Sequence, residues 1–410
     1  MTEFYPRWQK DTLNNLMLER RVLLLAGPRQ SGKTTLARSL EAEDIEYRTL
    51  DDSTLRAAAE TDPQGFVKRR TKTLIIDEAQ HVPSLLPAIK KAVDMDNTPG
   101  QYLLTGSSNI QSLPAVRESL AGRISKIRLR PLVLGEISNN NPDFIKSAFE
   151  QTFEKKHTDY DRDALLEIAF RGGFPEALTF QDRARKRWHT DYINAILERD
   201  LKDIARIHRK NAMIELVNVL AAWSSKFMDI SAIGAGLSIQ RKTIESYINA
   251  LESLYLVERI SPWTKTDYAR AGKQSKLFMA DSGLMASLLK WNIDLVRLDS
   301  DRAGKLIETF AFNEIMAQID SGDGLYELFH YRDREKREID FIVEREDNAL
   351  LGIEIKAGSA VDKNDFRHMK WFKNNIAKDR LFVGVILYTG NTTVSFGDDL
   401  WAAPFDLLWA

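Results

Sequence analysis

The pattern G-x-x-x-x-G-K-[ST] stands at Gly27 to Thr34, directly after the apolar run VLLLA. An apolar run, a glycine-rich turn and a following helix place backbone N–H groups around a phosphate chain. The spacing predicts a strand over 22–26, a loop, and a helix from about Lys33, within an α/β domain built on a parallel sheet. The phosphate-binding residues it predicts are Gly27, Pro28, Arg29, Gln30, Ser31, Gly32, Lys33, Thr34 and Thr35.

Within this loop two side chains have separate chemical roles. Lys33 is expected to reach the β- and γ-phosphates, and the Thr34 hydroxyl to ligate Mg²⁺. A second apolar run, LIID, ends in an acid, so the carboxylate of Asp77 should emerge where parallel sheets bind ligands. We expect Asp77 to hold Mg²⁺ through water. Glu78, the next residue, is placed to orient or deprotonate an attacking water.

A third strand is predicted in GQYLLTGSSNI, and its end carries Thr105, Ser107, Ser108 and Asn109. We assign Ser108 as the γ-phosphate sensor, while a serine N-cap of the next helix stays an open alternative.

Before a further strand, in LAGRISKIRLRPL, stands Arg123. We assign catalytic roles to Lys33, Glu78 and Arg123. Arg123 would reach a γ-phosphate across a subunit boundary of a homo-oligomer. The alternative is a solvated surface arginine.

Composition narrows the classes of partner. Lys and Arg total 58 against 59 acidic residues, so any contact with nucleic acid requires a local basic face. Without cysteine the chain has neither disulfides nor thiolate metal ligands, and its six histidines are scattered. The start MTEFYPRWQK has no apolar signal region, and the apolar runs are too short to span a bilayer. We expect a cytoplasmic protein with no membrane partner.

The motifs GPRQSGKTTL, LIIDEAQ, LLTGSSN and LAGRI, in this order, resemble a prokaryotic family of AAA+-type P-loop ATPases. In that family the ATPase is fused to a C-terminal region of unsettled function. The resemblance covers the first 135 residues by motifs and continues more loosely through GGFPEAL, KLFMADSGL and the last hundred residues. It implies an AAA+-type domain over 1–137 that uses ATP and Mg²⁺.

The middle of the chain is predicted to be helical. The polar stretch 138–160 is interpreted as a loop or domain boundary, within a linker region over 138–205. Residues 206–290 resemble a winged helix, whose recognition helix runs from Arg241 to Leu254 with an apolar inner stripe. Gln240, Arg241 and Lys242 lead that helix, as DNA contact requires. A protein-contact module remains the alternative.

The last 120 residues, 291–410, follow the order helix, three strands, helix, strand, which resembles the PD-(D/E)XK nuclease core. Asp340 on the second strand and Glu354 on the third would hold Mg²⁺, and Glu308 would add charge around them. Lys356 would orient the attacking water. Ile339 replaces the proline that often precedes the aspartate in that superfamily.

The predicted fold class is therefore α/β: a P-loop AAA+-type parallel-sheet domain, a helical and winged-helix region, and a C-terminal α/β restriction-endonuclease-like domain. The function we infer from the sequence is Mg²⁺-dependent ATP hydrolysis that rearranges a DNA- or protein-binding C-terminal region. An ATP-gated nuclease and a nucleotide-switched interaction scaffold are the two alternatives.

Overall fold

The architecture comes from a computed structural model of the 410-residue chain. It describes residues 5–106, 122–153, 160–199, 210–237, 239–266, 274–322 and 325–409. None of the helices within these ranges combines the length and the apolar character needed to cross a bilayer.

The N-terminal domain is a five-stranded sheet in the order β2-β3-β4-β1-β5, with every pair parallel. Its strands are β1 (Val22–Ala26), β2 (Ile45–Thr49), β3 (Thr73–Asp77), β4 (Tyr102–Gly106) and β5 (Ile124–Arg128). Its helices are α1 (Gln9–Glu19), α2 (Lys33–Arg38), α3 (Ser53–Thr61), α4 (Pro63–Phe66) and α5 (Leu85–Met95). Every residue of the central strands β1, β3 and β4 is buried because helices cover both faces of a parallel sheet. The strand, loop and helix predicted around the P-loop are confirmed.

Five helices follow the first sheet: α6 (Leu134–Ile137), α7 (Phe144–Glu150), α8 (Arg162–Arg171), α9 (Pro175–Leu178) and α10 (Asp182–Arg199). The interpretation of 138–160 as a loop was wrong for α7. Its buried residues Phe144, Ile145, Ala148 and Phe149 recur at helical spacing and pack into the large C-terminal core. Apolar periodicity over two turns therefore outweighs the polar residues that flank it.

The next elements form a small antiparallel sheet with helices packed on it. They are α11 (Lys210–Trp223), β6 (Lys226–Phe227), α12 (Ile230–Gly234), α13 (Arg241–Ser253), β7 (Val257–Pro262), β8 (Lys276–Met279) and α14 (Ser282–Leu288). The predicted inner stripe of α13 is confirmed, since Ile244, Tyr247, Ile248 and Leu251 are all buried.

The C-terminal region continues the same sheet. Its elements are α15 (Ile293–Leu298), α16 (Ser300–Ser321), β9 (Tyr326–Arg332), β10 (Glu338–Arg345), β11 (Leu350–Lys356), α17 (Arg367–Asn375), β12 (Phe382–Tyr388), β13 (Val394–Ser395) and β14 (Leu400–Pro404). The predicted order of helix, three strands, helix and strand is present from α16 to β12. Strand β7 pairs with β9 through Ser261 and Phe329, which joins the two sheets into nine strands. The regions expected as separate winged-helix and nuclease-like domains thus share one sheet.

One large core runs from α7 to Trp409 and includes residues of α8, α10, α13 and α16. Two smaller cores lie on the two faces of the parallel sheet. Tyr255, which follows α13, is buried in one of these N-terminal cores. The side chains of Lys126 and Arg128 lie over its ring, at 5.0 and 5.3 Å from the centroid. The middle of the chain is therefore packed directly against the P-loop domain.

Arg130, just after β5, is the buried charge at this contact. Its guanidinium donates to Asp320 of α16 at 2.6 Å and to Glu258 of β7 at 2.8 and 3.2 Å. Burial opposes ionisation of Glu258, but Arg128 and Arg130 outweigh it and lower the pKa of this carboxyl to about 2. For Asp320, burial outweighs the attraction of Arg130 and raises the pKa. Arg130 therefore binds two other elements with one side chain.

Arg130→Met should lower the free energy of unfolding by about 3–5 kcal/mol, because Asp320 would lose its cation and Glu258 would keep only Arg128. Arg302→Met is the matched control: its partner Asp299 is 41% exposed, and loss of such a pair should cost less than about 1 kcal/mol. Urea unfolding of the two variants measures the difference. Equal losses would show that the Arg130 cluster adds no more than a surface ion pair.

Candidate functional site

The predicted phosphate loop has the backbone shape that phosphate binding needs. Gln30 and Gly32 adopt positive φ angles of 59° and 95°, which turn successive N–H groups inward. A Cβ on Gly27 would lie 2.0 Å from the carbonyl oxygen of Leu129, so only glycine allows the loop to start against the end of β5. The Lys33 ammonium lies inside the loop and donates to the carbonyls of Gly27 and Pro28 at 3.1 and 2.7 Å.

Asp77, at the end of β3, is buried beside the first turn of α2. Three hydroxyl groups approach its carboxylate: Thr34 at 3.1 and 3.3 Å, Tyr47 at 2.7 Å, and Thr105. Burial and the hydrogen bond to Asp77 raise the pKa of Tyr47 to about 12, so Tyr47 stays a donor. Tyr47 and Thr105 thus hold the carboxylate toward α2. Sequence reasoning gave neither of them this role.

The Thr34 hydroxyl and the Asp77 carboxylate fit the ligand set that Mg²⁺ uses beside phosphates. Both are hard oxygen donors, and Mg²⁺ in phosphate sites is held by one or two such groups, by water and by the phosphates themselves. When bound, Mg²⁺ would neutralise charge on the phosphate oxygens. Within the described ranges no group of three or more His, Cys, Asp or Glu could hold a metal ion alone.

Glu78 has an unusual backbone conformation for a non-glycine residue, with φ 56° and ψ 43°. Its N–H donates to the Thr105 hydroxyl at 3.0 Å, and its carboxylate accepts from the Gln80 side chain. A left-handed conformation costs free energy that neighbouring contacts must offset, and such strain concentrates at functional sites. The conformation directs the Glu78 side chain into the cavity beside the P-loop.

This cavity has a volume of about 860 Å³ and lies between the P-loop and the helical region. Its second wall comes from α9 and α10, through Pro175, Trp188, Tyr192 and Arg199 among others. Tyr192 fixes this wall because its hydroxyl donates to the Arg29 carbonyl at 3.1 Å. The motif GGFPEAL, which carries Pro175, is therefore part of the site. The sequence does show aromatic residues that recur along α10, such as Trp188 and Tyr192. It does not show their partner, because the Arg29 carbonyl that Tyr192 contacts lies 163 positions away.

The remaining predicted residues of the N-terminal domain are not all in the cavity. Ser108, with Ser107 and Asn109, lies outside the described residues. Arg123 precedes β5, at the sheet edge opposite the P-loop, and its Nε donates to Asp94 at 2.5 Å. A role for Arg123 at its own chain's P-loop does not fit this position. A role across a subunit boundary stays a prediction.

The residues predicted to read DNA are all at the start of α13. Gln240, Arg241 and Lys242 are exposed, and Arg241 makes a surface ion pair with Glu245 at 3.1 Å. DNA contact by this face stays a prediction.

In the C-terminal region, Asp340 and Glu354 lie opposite each other. The register of β10 and β11 pairs Phe341 with Ile353, which sets Asp340 across from Glu354, and the N–H of Ile355 donates to Asp340 at 3.0 Å. Burial is the largest cause that raises the pKa of Glu354, and the negative charge of Asp340 is the second. The prediction that these two carboxylates would lie close together is consistent with this register.

Glu308 joins the same group through Lys276, which the sequence reasoning missed. The Lys276 ammonium lies 2.5 Å from Glu308 and 3.0 Å from Asp340, and 3.3 Å from Glu338. Burial raises the pKa of Glu308 to about 7. Lys356, in contrast, pairs with Asp365. The structure thus brings together three of the four predicted residues, with a different lysine among them.

Comparison with known families divides the chain in three. Residues 19–138 match the AAA domain, residues 162–294 match a domain of unknown function (DUF8612), and residues 303–408 match another (DUF4143). The N-terminal region is therefore an AAA-type P-loop domain.

Two relatives come from mycobacteria. The uncharacterized proteins Rv2008c of Mycobacterium tuberculosis and Mb2031c of Mycobacterium bovis are each 25% identical over 94% of this chain and 80% of their own length. Among solved structures, Thermotoga maritima RuvB is 19% identical, with a TM-score of 0.28 over 65% of this chain and 94% of RuvB. A DNA polymerase III gamma subunit-related protein of the same organism is 12% identical, with a TM-score of 0.23 over 60% and 97%.

Tyr47→Phe should weaken the apparent Mg²⁺ affinity measured with ATP by roughly tenfold, because Asp77 would lose a hydroxyl that orients it. Tyr102→Phe is the control, since it removes a buried hydroxyl that donates to Val67 instead. The measurement is the Mg²⁺ dependence of ATP hydrolysis at saturating ATP. The same Mg²⁺ dependence in both variants would remove Tyr47 from the metal-binding arrangement.

Proposed function

We propose that this protein is a Mg²⁺-dependent ATPase whose hydrolytic cycle rearranges a C-terminal region that binds DNA. The observation that carries the first part is the meeting of Thr34 and Asp77 at 3.1 Å, beside the Lys33 loop and Glu78. Binding of ATP needs the loop, the lysine and the hydroxyl–carboxylate pair. Hydrolysis needs in addition a group that acts on water, and Glu78 lines the same cavity.

In the proposed reaction, water attacks the γ-phosphorus while the bond from that phosphorus to the ADP oxygen breaks. The Glu78 carboxylate orients this water and accepts its proton, and Gln80 holds the carboxylate through its side-chain amide. The Lys33 ammonium, now bonded to loop carbonyls, compensates charge that develops on the phosphate oxygens. Each group acts from a position set by the ends of β1 and β3.

The coupling to the C-terminal region is supported by a short series of contacts. Arg7 donates to the Ser31 carbonyl of the P-loop at 2.6 Å and to the Arg130 carbonyl at 2.7 Å. Arg130 in turn binds Glu258 and Asp320. Movement of the loop on nucleotide exchange would therefore alter contacts that hold β7 and α16.

Lys33→Ala should abolish ATP binding, because it removes the ammonium that lies inside the loop against the Gly27 and Pro28 carbonyls. Glu78→Gln should bind ATP normally and hydrolyse it at least about 100-fold more slowly, since an amide accepts no proton from water. Binding is measured with a fluorescent ATP analogue and hydrolysis by phosphate release, with exposed Glu43→Gln as the matched control. Normal turnover by Glu78→Gln would remove that residue from its role.

The same assay tests the proposed homo-oligomer. If Arg123 completes a neighbouring site, Arg123→Ala and Lys33→Ala should each be inactive alone and partly active when mixed. A rate that stays independent of protein concentration, without recovery on mixing, would assign Arg123 to its ion pair with Asp94.

The exposed start of α13 favours DNA as the C-terminal partner. Charge reversal of Arg241 and Lys242 to Glu should weaken binding to a DNA duplex and reduce the slope of log K against log salt by about 2, because two phosphate contacts are lost. The control is the same charge reversal of Arg183 and Arg187, which are both exposed on α10. Binding is measured by fluorescence anisotropy. If both pairs of charge reversals weaken DNA binding equally, or if neither pair does, α13 would be assigned to protein contacts.

A further inference from the structure

Lys276 stands at the first position of β8 and is almost completely buried, with a side chain that is 2% exposed. A buried ammonium requires charged or polar partners on several sides. Here carboxylates supply them from two separate elements: Glu308 from α16, and Glu338 and Asp340 from β10. These carboxylates form a cation site, and the cation that occupies it is the Lys276 ammonium of the same chain.

Aromatic rings complete the surroundings of the ammonium. The rings of Phe227, Phe278 and Phe341 have centroids 5.7, 5.9 and 6.0 Å from Nζ. Ring faces attract cations, and this attraction increases when water is excluded. Lys276 is therefore held by contacts from β6, β8, β10 and α16, and a small rotamer change would not release it.

Mg²⁺ does not fit the same carboxylates while Lys276 is among them. Mg²⁺ needs oxygen ligands at about 2.0–2.1 Å in an octahedral arrangement. One oxygen of Asp340 is already 3.0 Å from the Lys276 ammonium, and the other accepts the N–H of Ile355 at 3.0 Å. An ion on Asp340 would lie next to a buried positive charge in a site of low dielectric.

We infer that the Lys276 ammonium takes the place of a divalent cation at the carboxylate cluster of Glu308, Glu338, Asp340 and Glu354, so that the cluster does not load Mg²⁺. The nuclease-like arrangement of Asp340 and Glu354 then serves to join β8, β10 and α16. Lys356, paired with Asp365, is consistent with this because it is not directed at the cluster by any described contact.

Mn²⁺ binding followed by electron paramagnetic resonance tests this directly, on the full chain and without nucleotide. Wild type and Asp340→Asn should bind the same amount of Mn²⁺. Lys276→Met, which keeps the length of the side chain and removes its charge, should gain about one ion per chain. The gain should disappear in Lys276→Met/Glu354→Gln, and Lys276→Arg should bind as wild type does.

Two results would overturn the inference: Mn²⁺ binding by wild type that is lost in Asp340→Asn, or a folded Lys276→Met protein that gains no ion. Lys276→Met leaves buried carboxylates without a cation and is at risk of unfolding. Circular dichroism with and without Mn²⁺ covers this case, since refolding by Mn²⁺ would support the inference. If the variant stays unfolded in both conditions, the comparison of wild type with Asp340→Asn decides alone.

Discussion

The ion cluster of Arg130 is the interaction on which the arrangement of the two sheets depends. Arg130 follows the edge strand β5. The residue before it, Leu129, packs against Gly27, the first glycine of the P-loop. The Arg130 guanidinium donates to Glu258 of β7 and to Asp320 of α16. A fully buried guanidinium is stable only when every partner is in place. The two sheets must therefore assemble together for Arg130 to be satisfied. Arg130 sets the position of the nucleotide loop relative to the C-terminal region together with Tyr192, whose hydroxyl donates to the Arg29 carbonyl of that loop.

Local patterns predicted the fold well wherever a single element carried the information. The run that ends at Asp77, the glycines at 27 and 32, and the apolar stripe of α13 each need only a few neighbouring residues to be recognised. The predicted bounds of β1 and α13 and the predicted start of the P-loop helix agree with the structure to within a residue or two. The prediction of Asp340 on the second strand and Glu354 on the third agrees with the structure, where these two residues lie opposite each other.

The features that were missed depend on contacts between distant parts of the chain. Lys276 lies in KLFMADSGL, where nothing in the local pattern distinguishes a buried ammonium from a lysine at a strand end, and its partners are 32 to 64 positions away. Tyr47 looks like an ordinary strand residue and Thr105 like a member of the polar cluster at the end of its strand, yet both donate to Asp77. The continuous sheet from β7 to β9 was missed for the same reason. Pairing across a sheet is decided by packing, which residue order alone does not express.

Helix α16 connects the two buried charge clusters. It is 22 residues long, with Glu308 in its third turn and Asp320 in its last turn. These positions are about 18 Å apart along the helix axis at 1.5 Å per residue. Because α16 is one continuous helix, it holds these two positions at a fixed separation and so joins the Arg130 cluster to the Lys276 cluster. Contacts from four elements hold Lys276, which makes the Lys276 cluster more resistant to displacement than the Arg130 cluster. In the proposed nucleotide cycle, the rearrangement should therefore occur around Arg130, as a change in how β5 contacts α16 and β7, while the carboxylate cluster remains assembled.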